Sequence, residues 1–130
     1  MTKQPVQDLL GTSASPVSVA NNTASSLGSP LDTTAAVGIM IQVKATTGAA
    51  VFQTGATISI YCSPDNTNWD TTPYVTMPMT FGSASTAFIL SFAIPYAEDI
   101  SYLKAQVTTN NTTSATATTF WVQAQRVTLT

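Results

Sequence analysis

The sequence predicts an all-β fold, an antiparallel β-sandwich of jelly-roll or immunoglobulin-like type with about eight strands and an extended N-terminal arm. Three observations predict it. Threonine and serine dominate the polar residues, with 24 Thr and 13 Ser in 130 positions, and threonine, stiff at χ1, suits the solvated face of a pleated sheet better than a helix. Apolar residues alternate with polar ones in short segments separated by turn formers, the pattern of strands with one buried face. No window of about 12 residues or more carries a 3.6-residue apolar period, and no repeat of about 20–50 residues recurs.

The elements follow in order. Residues 1–15 read as an arm or single helical turn ahead of a sandwich spanning 16–130, because the short apolar set Val6, Leu9 and Leu10 sits beside Pro5, ends at Gly11 and does not alternate. Val17 and Val19 mark a first strand, closed by Asn21-Asn22 and a turn-rich stretch through Gly28-Ser29-Pro30. Ile39, Ile41 and Val43 alternate with Met40, Gln42 and Lys44, and Ile58, Ile60 and Cys62 alternate with Ser59 and Tyr61. Val75, Met77, Met79 and Phe81 alternate too, but Pro78 offers no ladder N–H, which assigns that strand to a sheet edge or a bulge.

Phe88, Leu90, Phe92 and Ile94 form the strongest inward face, and Ala87, Ile89 and Ala93 make the opposite face apolar as well, so this strand reads as central. Glu98-Asp99 reads as a polar turn before Leu103, Ala105 and Val107, and the last strand runs from about Phe120 to Leu129. Long loops fall near 46–55, 64–74 and 108–118, the last low in complexity.

Composition excludes several function classes. Charged residues are 8% of the chain and the net charge is −2, which gives little repulsion between copies and suits dense packing or attachment to a larger body. Lys3, Lys44, Lys104 and Arg126 are too scattered to form a phosphate-binding track, so nucleic acid is not an expected partner. The longest nearly apolar run, 87–96, is about half a membrane-spanning helix, and no membrane association is expected. The first eleven residues lack the apolar stretch of a secretory signal, from which cytoplasmic synthesis is expected.

Histidine is absent, which removes the usual general base, the Ser-His and Cys-His nucleophile pairs and the commonest zinc ligand. The single cysteine, Cys62, continues the inward series from Ile58 and Ile60 and is expected to be a buried, unreactive hydrophobe. Asp65 and Asp70 flank one loop without neighbours that would mark a catalytic pair. Neither a catalytic centre nor a cofactor or metal is expected. The loop Ser63-Pro64-Asp65-Asn66-Thr67-Asn68-Trp69-Asp70 does carry oxygen donors at a spacing that suits calcium, but it lacks the glycine and terminal glutamate of an EF-hand loop. It reads as an Asx turn with Asn68 in the left-handed conformation.

Ser63, Asp65, Asn68, Trp69, Asp70 and Thr71 resemble the SxDGxNWDT hairpins of β-sandwich proteins in tailed-bacteriophage virions, including head-decoration or cement proteins and tail components. Asn66 and Thr67 stand where that pattern favours glycine. The resemblance implies a non-enzymatic structural protein of a virion, made in the host cytoplasm, that binds and stabilises an assembled shell. It implies the major capsid protein or another virion protein as partner and a homo-oligomer, a trimer by analogy. The alternatives are a tail component, or a carbohydrate- or receptor-binding module that stacks sugars on Tyr61, Trp69, Tyr74 or Trp121. The expected partner-binding residues are Pro5, Val6, Leu9 and Leu10 of the arm, with Tyr61, Trp69 and Tyr74.

Overall fold

The structure, a computed structural model, describes residues 1–20, 22–49, 55–94, 100–109 and 117–129. Glu98-Asp99 and most of the 108–118 loop lie outside the described residues, as does part of 46–55. The described residues form ten strands and no helix: β1 (Thr2–Lys3), β2 (Gln7–Leu10), β3 (Val17–Val19), β4 (Leu31–Asp32), β5 (Ala36–Thr46), β6 (Ala56–Ser63), β7 (Val75–Met79), β8 (Ala87–Ala93), β9 (Tyr102–Thr109) and β10 (Thr118–Thr128). Two antiparallel sheets face each other as a β-sandwich, the predicted class. One sheet runs β1-β10-β5-β8, with β2 and β3 also paired to β10, and the other runs β4-β9-β6-β7.

The alternation read from the sequence is the alternation of the core. Ile41, Val43 and Ala45 of β5 meet Ala124, Val122 and Phe120 of β10 across one sheet, while Ile58, Ile60 and Cys62 of β6 meet Val107, Ala105 and Leu103 of β9 across the other. All are buried. Cys62 lies in this layer, as its place in the inward series predicts. Phe81, just after β7, inserts between the sheets and packs tilted against Phe88 and Phe120, with ring centroids 5.3 and 6.2 Å away. Threonine also stitches irregular backbone: the Thr47 hydroxyl donates to the Ser83 carbonyl at 2.8 Å and accepts from the Thr86 N–H at 3.0 Å.

β7 takes an edge of its sheet, as Pro78 predicts. Two placements differ from the sequence reading. β8, read as central, is the terminal strand of its sheet among the described residues. The N-terminal segment, read as an arm outside the core, supplies two strands to the chain's own sheet: β1 pairs with Thr128 and Val127, and β2 with Val122 to Ala124.

The second difference has a local cause. The β2–β10 register steps from Val122 opposite Leu10 to Gln123 opposite Asp8, so Leu9 is an extra, bulged residue. The bulge turns two consecutive leucines inward, Leu9 at 2% and Leu10 at 4% exposure, and destroys the alternation that would have announced a strand. Residues 24–29 then tie this strand to the opposite sheet. Ser25 N–H donates to Val107 O at 2.8 Å, Gly28 N–H to Ala105 O at 3.0 Å and Ser29 N–H to Leu9 O at 2.7 Å. The approach at Gly28 is so close that a β-carbon there would lie 1.8 Å from the Leu9 carbonyl oxygen.

Leu9→Ala should therefore lower unfolding free energy by about 2–5 kcal/mol, the range for a buried leucine whose cavity cannot collapse. Urea denaturation checks this. An unchanged midpoint would show that the segment does not belong to the folding unit.

Candidate interaction surface

The residues expected to bind partners separate into three groups. Leu9 and Leu10 are committed to the chain's own core, which corrects their expected role as exposed docking residues. Pro5 and Val6, between β1 and β2, remain exposed, Val6 at 52%. Tyr61, Trp69 and Tyr74 gather on or beside the outer face of the β4-β9-β6-β7 sheet. Tyr61 lies across from Lys104 in the ladder, and the Lys104 ammonium sits 4.5 Å from the centroid of the Trp69 ring. Tyr61 Oη is 3.4 Å from Gln106 Oε1, and Tyr74 N–H donates to Ile60 O at 2.8 Å.

The hairpin carrying Trp69 is held by its own side chains. The Asp65 carboxylate accepts from the N–H groups of Asn68 at 2.8 Å and Thr67 at 2.9 Å, and from Asn68 Nδ2 at 2.7 Å. Ser63 Oγ donates to the Asn68 carbonyl at 2.6 Å. Asn66 takes the left-handed conformation, φ 60°, two residues earlier than the Asn68 expected from the sequence. These bonds, the Asn68 N–H foremost, hold the Asp65 carboxyl well below the usual carboxylate range. Both carboxylate oxygens face hydrogen-bond donors inside the loop, and among the described residues no three Cys, Asp or Glu side chains converge as a metal would need.

The outer face of the larger sheet was not singled out by the sequence, apart from Trp121. Its strands align Trp121, Lys44 and Ile89 in one cross-strand row, Gln123, Gln42 and Ser91 in the next, and Gln125, Met40 and Ala93 in a third. Trp121, one of the aromatics named for the alternative sugar-binding reading, lies partly exposed on this outer face. Lys44 Nζ stands 4.1 Å from its ring centroid and the indole N–H donates to Asp8 Oδ1 at 2.5 Å. Beside it is a shallow depression of roughly 300 Å³ bordered by Thr12, Pro16, Lys44, Phe88, Ile89 and Trp121. Each tryptophan thus has a lysine over one face of its ring.

The row ends at β8, and β8 ends the sheet. Ile94 N–H donates to Ile39 O at 2.9 Å and Thr47 N–H donates to Thr86 O at 3.0 Å. In an antiparallel ladder these two bonds set the parity. Even-numbered residues of β8 turn their backbone groups toward β5, and Ala87, Ile89, Ser91 and Ala93 turn theirs to the open side. No strand among the described residues lies beyond them. Ile89 is 66% exposed and Met40 is 47% exposed. Natural edges are blunted by charge, proline or brevity, and β4 and β1 are two residues long while β7 holds Pro78. β8, Ala-Phe-Ile-Leu-Ser-Phe-Ala, has none of these devices.

The hairpin geometry generates an acid-dependence prediction. The folded-state pKa of Asp65 is lowered, so its stabilisation is complete above about pH 4, the unfolded value, and is lost as pH falls through the folded value. Asp65→Ala should lower the urea midpoint at neutral pH, with the deficit shrinking below about pH 4. A deficit that is absent at neutral pH, or unchanged in strong acid, contradicts the account.

No protein-family model matches the chain, and no curated protein matches it. Among solved structures, the chain is similar to a protein of Bacillus endospore appendages, described as a novel family of disulfide-linked pili. The identity is 15% over 99% of this chain and 88% of that one, with a TM-score of 0.47.

Proposed function

We propose that this chain is a non-enzymatic structural protein that works by presenting sheet surfaces to an assembly, specifically a decoration or cement protein of a phage-like particle. One observation carries the assembly reading: a strand with the composition of a sheet interior stands at a sheet edge among the described residues, uncharged and, Ser91 apart, apolar on both faces. An edge of that kind is a template for another strand. The low overall charge is compatible with close packing. The specific virion reading is supported by the resemblance of the Ser63–Thr71 hairpin, whose Trp69, with Tyr61 and Tyr74 nearby, offers an aromatic surface on the opposite sheet.

In this proposal the partner is the major capsid protein or another virion protein, the location is the virion, and Pro5 and Val6 join the contact because they stay exposed at the sheet margin. A protein that binds the assembled lattice and not the free subunits adds its binding free energy to particle stability by mass action.

Purified protein mixed with assembled phage heads, with tails and with unassembled capsid subunits should sediment with one assembled form and raise that particle's melting temperature. Failure to sediment with any assembled form, or equal binding to unassembled subunits, would remove the decoration reading.

A further inference from the structure

We propose that β8 pairs with β8 of a second copy of this chain, antiparallel, about a two-fold axis at Leu90, so that two larger sheets join into one continuous sheet. The proposal deepens the assembly reading above and rests on it for its biological setting.

The register follows from parity. Ala87, Ile89, Ser91 and Ala93 carry the outward backbone groups, and a hydrogen-bonded antiparallel pair needs such a residue on both strands. Centring the axis on Leu90 sets Ala87 opposite Ala93 of the other copy and Ile89 opposite Ser91. Every outward N–H and C=O of the strand then meets its complement, because the strand from Ala87 to Ala93 is centred on Leu90. No residue is left over at either end.

The occupant is a second copy because of charge. Residues near a two-fold axis meet themselves, so any charge there would face its own kind. β8 has none, and its nearest charge on the outer face, Lys44, is one strand inward and engaged by Trp121. An uncharged edge likewise offers nothing for an oppositely charged foreign strand to recognise. The other edges do not compete, since β7 is interrupted by Pro78 and β4 is two residues long.

Pairing also explains the side chains. Exposed Ile89 comes beside Ser91 of the second copy, extending the row Trp121, Lys44, Ile89 into the other subunit. Phe88 and Leu90, inward-facing but only partly buried, gain cover from Phe92 and Leu90 across the axis. Such a contact is isologous and closes at two subunits, unlike the trimer that the virion resemblance implies.

The test uses the purified protein with no particle present. Sedimentation over a concentration series should show a monomer–dimer equilibrium, weakened about 100-fold or more by Ser91→Lys or Ala93→Lys. Thr76→Lys, on the other sheet's edge, should leave the dimer unchanged. Urea midpoints establish that each variant folds, and two charge positions guard against one failing to fold. Leu90→Cys should cross-link into dimers under mild oxidation, because non-hydrogen-bonded pairs bring α-carbons within disulfide reach. The parent protein, whose Cys62 is buried, should not.

A protein that stays monomeric overturns the proposal. So does a dimer indifferent to both lysines, or one in which Leu90→Cys fails to cross-link. Monomers that still bind particles would end the pairing and leave the decoration reading standing, while β8 dimers that bind no particle would do the reverse.

Discussion

A β-strand in a sheet has backbone groups on both sides, and each needs a partner or water. In this chain the strand on which that requirement falls most heavily is β10. Along one side it pairs with β5 from Thr119 to Thr128, and along the other it is covered in relay by β3, β2 and β1. The N-terminal segment exists in the fold to satisfy β10. Its capture is reinforced by Gln4, whose N–H donates to Arg126 O at 2.8 Å and whose side-chain amide donates to Thr128 Oγ1 at 2.9 Å. Residues 24–29 then fasten β2 to β9 and close that side of the sandwich. Among the described residues, the same sheet has no equivalent cover at its other end. Among the described residues one edge is covered by local chain and the other is not, and this asymmetry organises the surface.

Where a strand has one buried face and regular register, its residues announce it. β5, β6, β9 and β10 were legible for that reason, as was the edge position of β7 from Pro78. The inward series placed Cys62 correctly because a period of two leaves no freedom about which face a residue takes. β2 was not legible, because the bulge at Leu9 puts adjacent leucines on the same side and mimics a non-strand cluster. The Asx turn was legible in kind but not in detail: Asp65 caps it, yet the left-handed residue is Asn66, since asparagine at either position tolerates that conformation.

β8 was misplaced for a more informative reason. Apolar residues on both faces ordinarily mean burial on both faces, and Ile89 breaks that rule by standing in solvent. Departures of this kind, where local composition and observed environment disagree, concentrate at functional surfaces. Tyr61, Trp69 and Tyr74 could be named as contact candidates from sequence because the turn beside them is recognisable, and of these Tyr74 is exposed while Tyr61 and Trp69 are half-buried. The open edge could not, because edge and centre differ in which strands pair across the chain, and composition does not carry that information.

In the proposed assembly β8 passes from an open hydrogen-bonding edge in the single chain to a paired one in the dimer. Amide hydrogen exchange resolved by residue tests this most directly. In dilute protein the N–H groups of Ala87, Ile89, Ser91 and Ala93 should exchange rapidly while those of Phe88, Leu90 and Phe92, bonded to β5, stay protected. At high concentration the two sets should become protected together. Equal protection of both sets at every dilution would contradict the claim, because some part of the chain itself would then be covering the edge.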